Sequence, residues 1–498
     1  MIHQKLPTNW QEREKLRDKG QFWTPEWITK AMVSYLTKST DLIFDPAAGK
    51  GAFFNALLQI NPNIKYYGID IDQHILKDEI YQTNSCLVEL RDFIKDPPQQ
   101  KFKAIIGNPP YIRHHRLNQQ LKQFLKELCL KITGFTIDGR AGYHIYFLVQ
   151  ALNLLAENGK LTFIMPADTC EGIFAQKLWQ WISTNYCLEC VVTFNENATP
   201  FPNVDTNAVI FFIKNSAPIE KIKWVKANIA NTDELCNFVQ SNFQDNNYKT
   251  LEINHRDLKE SLKTGLSRPQ KNYSDFKYHL HDFAKVIRGI ATGANEFFFL
   301  TKQQVETLHI PPEFTKLAIG RTRDVTGDII TLADIIKLQE NNRPTILLSI
   351  NSDQNIPESL INYLQKGEKL GLPERPLIKQ RKLWYKMESR EVPPILFAYL
   401  GRRNSRFIKN EAGVLPLTSF LCVYPIYTDE IYINNLWQAL NEPETIENLK
   451  LVGKSYGSGA IKVEPRNLDK LSIPEHIVEK YQLNRQDKIS KIKQLQLF

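Results

Sequence analysis

Asn108-Pro109-Pro110-Tyr111 places one amide side chain, two prolines and one aromatic ring in four consecutive positions. The amide oxygen of Asn108 and the main-chain carbonyl of Pro109 can accept both hydrogens of an exocyclic amine. That grip turns the nitrogen lone pair out of conjugation and toward an electrophile. Tyr111 offers a flat face for the ring that carries the amine. Asparagine is no general base at neutral pH, so the chemistry indicated is positioning and electrostatics rather than proton abstraction. Asn-Pro also punctuates ordinary turns. The full tetrapeptide directly behind an apolar run favours the chemical reading.

The apolar run, Phe102–Ile106, predicts a strand buried on both faces, ended by Gly107. Two prolines then fix φ at about −65°, giving a stiff loop at a strand's carboxyl end, where open α/β sheets bind ligands. Three earlier strand ends carry ligand-competent residues too. Asp41–Asp45 is a short strand, followed by Pro46-Ala-Ala-Gly-Lys-Gly51 and the helical run Ala52–Gln59. Gly49-x-Gly51 lacks the third glycine of a dinucleotide fingerprint, so a bound pyrophosphate is not indicated. Lys65–Ile69 is a second strand, ended by Asp70, 19 residues past Gly51, where a carboxylate can take both hydroxyls of a ribose. Asp92-Phe93 closes a third, with a carboxylate to hold an amino group and a ring to pack on a base. Each carboxylate alone is an ordinary solvated strand end. The series predicts an α/β protein with a Rossmann-like, doubly wound, mostly parallel sheet and a nucleoside cofactor across its strand ends. Upstream, Gln11–Lys19 reads as a helical lead-in. Thr24-Pro25 reads as the start of a helix over Ile28–Leu36, with Thr24 either a capping hydroxyl or a ligand contact.

Taken in order, Thr24-Pro25, Asp45-Pro-Ala-Ala-Gly49, Asp70, Asp92-Phe93 and Asn108-Pro-Pro-Tyr111 resemble the motifs of gamma-class, TaqI-like adenine-N6 DNA methyltransferases of restriction-modification systems. The resemblance covers the first half closely and implies S-adenosylmethionine as cofactor. By position, Thr24, Asp45 and Ala47 would line its methionine end, Asp70 its ribose, and Asp92 with Phe93 its adenine, with Gly49 a further cofactor contact. Pro110 would border both cofactor and target. Phe201, between Pro200 and Pro202 and ahead of the strand Ala208–Ile213, stands where the family packs an aromatic ring against the extruded adenine opposite Tyr111. The family often carries Glu at the positions of Asp45 and Asp70. Enzymes that methylate RNA or a protein glutamine share the tetrapeptide but are usually compact. Cytosine-N4 enzymes more often have Ser in place of Asn108.

Beside the loop, Arg113 and Arg116 are candidate phosphate contacts, with a solvated basic turn as the alternative. Tyr143–Ala156 predicts an amphipathic helix in which Tyr143, His144 and Tyr146 pack rather than catalyse, and Lys160–Met165 another strand. The resulting division is a catalytic domain at 1–245, a polar linker at 246–275 and a mixed α/β target-recognition domain at 276–498. Phe283–Leu300 and Ser455–Arg466 resemble segments of specificity domains. Between Glu368 and Lys409 lie 11 Lys or Arg against 4 Asp or Glu, interleaved with Trp384, Tyr385, Phe397 and Tyr399. That mixture suits a groove for double-stranded DNA, with Arg402 and Arg403 as the candidate contacts.

Bulk composition agrees without deciding. The 498 residues suggest two domains, and a net charge of +9 suits a polyanionic partner. Seven scattered cysteines do not form a disulfide framework, and Cys187-x-x-Cys190 reads as two buried thiols rather than zinc ligands. With no apolar span or signal-peptide core, a cytoplasmic protein with no membrane association and no bound metal is expected. It should act as a monomer. No Glu-x-Lys tripeptide is present, so modification without cleavage is expected, with any cognate restriction endonuclease on a separate chain.

Overall fold

The structure is a computed structural model. It describes residues 22–268 and 276–484, apart from 39, 76–78, 82, 171–173, 202–206, 351–354, 399–404 and 456–460. The lead-in Gln11–Lys19, the Arg402–Arg403 pair and Tyr399 therefore lie outside the described residues. The chain divides into two compact units between Gln270 and Lys271.

The first unit is built on nine strands: β1 (Leu42–Asp45), β2 (Lys65–Asp70), β3 (Cys86–Leu90), β4 (Phe102–Gly107), β5 (Leu155–Pro166), β6 (Cys187–Phe194), β7 (Ala208–Lys214), β8 (Lys221–Ala227) and β9 (Leu251–Asp257). They lie in the order β3-β2-β1-β4-β5-β7-β6-β8-β9. β1 to β5 are parallel to their neighbours, while β7 inserts antiparallel between β5 and β6. The order reverses between β1 and β4, where Phe44 pairs with Ile105, so a crevice opens at the carboxyl ends of those two strands.

Alternation along the strands sorts side chains into two cores. Ile43, Tyr66, Ala104 and Ile106 face α1 (Glu26–Leu36) and α2 (Ala52–Ile60). Phe44, Tyr67 and Ile105 face the side holding α3 (Gln119–Thr133), α4 (Tyr143–Asn153) and α5 (Ala175–Asn185). Phe44 is fully buried and stacks on Phe102 with centroids 4.1 Å apart. Burial of such a ring stabilises by roughly 1.5–3 kcal/mol and fixes where β1 ends. α1 is buried nearly all round, because α6 (Glu234–Gln240) packs over the side that α2 leaves open.

The stretch 246–275 is a correction. It contains β9, paired along its length with β8, and α7 (Leu258–Thr264), whose first turn is capped by Asp257. Arg256 is fully buried there and bonds Glu260 and the carbonyls of Gly265 and Arg268. The polarity that suggested a linker is that of an edge strand with one face in solvent.

The second unit carries a five-stranded sheet of Ala284–Arg288, Phe420–Pro425, Ile395–Ala398, Arg406–Asn410 and Ile329–Ile330, in that spatial order. A four-stranded sheet accompanies it. Two of the expected stacking aromatics are engaged in packing here. Phe397 is fully buried, and Trp384 lies against Phe297 and Phe298. Arg381 is also spent internally, donating to the carbonyls of Ala291 and Thr292. Lys369, Lys379 and Lys382 remain exposed. All seven cysteines are free, and Cys187 and Cys190 are buried in β6. Among the described residues, no helix is long and apolar enough to cross a membrane.

Candidate active site at the ends of β1 and β4

The loop after β1 is shaped by its carboxylates and by two tyrosines. Asp45 is fully buried, with Oδ1 accepting from Ala47 N–H at 2.9 Å and Oδ2 from the Tyr66 hydroxyl at 2.7 Å. Burial raises its pKa to about 7, against those two hydrogen bonds and with the Asp70 charge adding to the rise. The carboxyl group thus braces the loop from behind. Gly49 and Gly51 have φ of +54° and +72°, which let the main chain turn into α2. The Tyr81 hydroxyl donates to the carbonyls of Ala48 and Gly49 at 3.0 and 2.9 Å.

Asp70 reaches the same loop from the end of β2. It accepts from Gly49 N–H at 3.0 Å and from Asp72 N–H at 2.9 Å, and burial raises its pKa. With Ile71 N–H a third donor to it, the carboxylate keeps acceptor capacity for an incoming hydroxyl. Gly68 allows β2 to lie this close, since a Cβ there would stand 2.8 Å from that of Ala48. Asp92, past the end of β3, caps a turn by accepting from Ile94 and Lys95 N–H. The Phe93 ring is 1% exposed and packs on Phe44 and Phe147. The positive-φ loop and the successive acceptor carboxylates of Asp70 and Asp92 fit a nucleoside carrying hydroxyl and amino groups.

Across the switch point, Gly107 ends β4 and Asn108 follows. Its Nδ2 donates to the carbonyl of Phe22 at 2.8 Å and to Thr24 Oγ1 at 3.1 Å. Thr24 is consequently not the helix cap. Pro25 is the N-cap residue of α1 without a side-chain cap bond, and its carbonyl accepts from Ile28 and Thr29. The Tyr111 hydroxyl donates to the Ile164 carbonyl at 3.1 Å, and burial holds its pKa well above the usual phenol value. Phe201 is 5% exposed and meets Tyr111 edge-on, with centroids 6.2 Å apart and planes at 84°. One ring can therefore stack flat on a base while the other meets it at right angles; a parallel sandwich is not the geometry offered. Pro109 is buried and Pro110 half-buried, while Arg113 is exposed and Arg116 half-buried beside the loop.

Three residues of this site escaped sequence reasoning, and a fourth, His144, was read only as packing. Phe22 completes the aromatic cluster, 5.2 Å from Tyr111 and 5.6 Å from Phe201. Its place two residues before Thr24 was the only signal. Tyr66 and Tyr81 hold the β1 loop from other elements, and nothing local marks them. His144 lies edge-on to Tyr111 at 6.0 Å, and burial pushes its pKa down while Asp168 pulls it up.

Comparison with known proteins assigns each unit separately. Residues 33–201 match the family described as Eco57I restriction-modification methylase. Residues 270–497 match the C-terminal domain of type II methyltransferase M.Eco57I. Type II methyltransferase M.AccI of Acinetobacter calcoaceticus is 26% identical over 464 residues, covering 91% of this chain and 84% of that protein. M.XamI of Xanthomonas campestris pv. amaranthicola is 23% identical over 474 residues, covering 91% and 85%. In fold, the chain is similar to the type IIL restriction-modification enzyme MmeI, solved in complex with DNA. The TM-score is 0.53 at 12% identity, over 93% of this chain and 64% of that longer one. With one matching family model on each unit and relatives aligned over nine-tenths of its length, the chain belongs to the type II DNA methyltransferases of restriction-modification systems.

Proposed function

We propose that this chain methylates the exocyclic N6 amine of an adenine extruded from duplex DNA, with S-adenosylmethionine as donor. One observation carries the reading: the Asn108–Tyr111 loop ends β4 beside the β1 loop, with the rings of Phe22, Tyr111 and Phe201 gathered around it. When bound, S-adenosylmethionine supplies an electrophilic sulfonium methyl. Asp70 would hold its ribose hydroxyls and Asp92 its adenine amine, with Ala47, Gly49 and Pro110 along its length.

An adenine inside a duplex stack is out of reach, and extruding it costs a few kcal/mol. Stacking on Tyr111 with an edge contact from Phe201 returns roughly 1–3 kcal/mol per ring. Asn108 Oδ1 and the Pro109 carbonyl then accept the two amine hydrogens, and the proton released after transfer goes to water. Arg113 and Arg116 would hold phosphates near the extruded base, with Arg402 and Arg403 on the recognition side. In this reading the first unit, β9 and α7 included, is the catalytic domain and 276–498 reads the DNA. The enzyme works as a cytoplasmic monomer alongside an endonuclease on a separate chain.

The test is Asn108→Ala assayed with labelled S-adenosylmethionine on unmethylated genomic DNA, followed by nucleoside analysis. Transfer should vanish while cofactor binding stays, and the wild-type product should be N6-methyladenine. A product of N4-methylcytosine, or methyl label only in RNA or polypeptide, overturns the assignment of target.

A further inference from the structure

An amide side chain can face its target with either end, and the proposed chemistry needs the oxygen of Asn108. Two neighbours decide the matter. One end of the amide lies 2.8 Å from the Phe22 carbonyl and 3.1 Å from Thr24 Oγ1. A main-chain carbonyl only accepts, so the end facing it must be the NH₂ group. Two hydrogens meet two acceptors, and Oδ1 is left pointing away from the segment Phe22–Thr24.

That segment is itself held. The Phe22 ring packs on Tyr111 and Phe201, Lys50 Nζ stands 4.5 Å from the Trp23 ring centre, and Pro25 leads into the buried helix α1. Thr24 is 8% exposed, and its side chain makes no cap bond to the helix that follows. Its oxygen is placed to serve the loop 84 residues away.

We propose that Thr24 is a positioning residue for Asn108: together with the Phe22 carbonyl it locks the amide so that Oδ1 alone faces the target amine. The proposal rests on the reading of Asn108 given above and adds a role for Thr24 distinct from holding cofactor. It also accounts for Asn rather than Asp at position 108. A carboxylate there would set an acceptor against the Phe22 carbonyl with no hydrogen between them.

The test uses the full-length enzyme, unmethylated genomic DNA and labelled S-adenosylmethionine. Thr24→Val keeps the shape and removes the acceptor, whereas Thr24→Ser keeps the oxygen. The valine variant should lose about tenfold in kcat, the size of one orienting hydrogen bond, with its Kd for S-adenosylmethionine within about twofold of wild type. The serine variant should recover most of that kcat. If the valine variant does not fold, Thr24→Cys, whose thiol is a weak acceptor, carries the same expectation. An unchanged kcat overturns the proposal, as does a loss confined to cofactor affinity, or a serine variant as slow as valine. Asn108→Ala run in parallel separates the two levels. Normal turnover there removes the reading itself, whereas an inactive Asn108→Ala beside an unaffected Thr24→Val removes only the positioning role.

Discussion

Replacing Asp45 with asparagine separates charge from shape beneath the β1 loop. The asparagine oxygen can still accept from Ala47 N–H, and its NH₂ can face the Tyr66 oxygen, so the local fit survives. What is lost is a proton equilibrium. Burial raises the Asp45 carboxyl from an ordinary 3.8 to about 7, so between those values the folded chain holds a proton that the unfolded chain has released. Stability contributed by the protonated group is therefore present at low pH and lost as pH rises through 7, at about 1.4 kcal/mol per unit across the window. From pH 5 to pH 8 the wild type should lose about 3 kcal/mol through this one group, and Asp45→Asn should lose none of it. Titrating groups other than Asp70, whose charge couples to Asp45, are common to both proteins and cancel in the difference. Urea unfolding of both proteins at pH 5, 6, 7 and 8, followed through the transition of the first unit, measures it. The variant should gain on the wild type steadily across the series. Parallel curves, with a difference constant to about 0.5 kcal/mol, would refute a buried carboxyl that titrates near neutrality.

Two further outcomes follow from packing. Phe201→Ala should weaken the hold on an extruded base, seen as a change in 2-aminopurine fluorescence at the target position; an unchanged signal would make Phe201 a core residue only. Gly68→Ala drives a Cβ to 2.8 Å from that of Ala48 and 3.0 Å from the Tyr66 ring, and should cost about 1–3 kcal/mol of stability. Because the displaced residue is in the β1 loop, cofactor affinity measured by calorimetry should fall as well, and a variant with wild-type affinity would show that the loop tolerates the shift.

Much of the first unit was legible because parallel strands buried on both faces leave a plain trace. Leu42–Asp45, Lys65–Asp70 and Phe102–Gly107 are apolar runs stopped by a glycine or a carboxylate, and each lies within a residue or so of where the pattern puts it. Local signals failed where tertiary packing reassigned a group without changing the local chain. Thr24-Pro25 has the look of a capped helix start, and a helix does start there, but Pro25 takes the cap position and frees the hydroxyl. Residues 251–257 are polar as linkers are, but also as edge strands are, and only pairing with β8 tells the two apart.

The same distinction separates the groups of the site from their orientation. Asn108, Tyr111, Asp70 and Phe201 are each visible in a short window, since each sits at the end of an element that its neighbours define. None of those windows contains the bond that decides which atom of Asn108 faces outward. That bond spans 86 residues to a main-chain carbonyl, a group every residue carries and no sequence pattern marks. Chemistry can therefore be read one motif at a time, but its direction comes from contacts between motifs. A variant that leaves the loop intact and alters only the Phe22–Thr24 segment should slow transfer, though less than one that removes Asn108 itself.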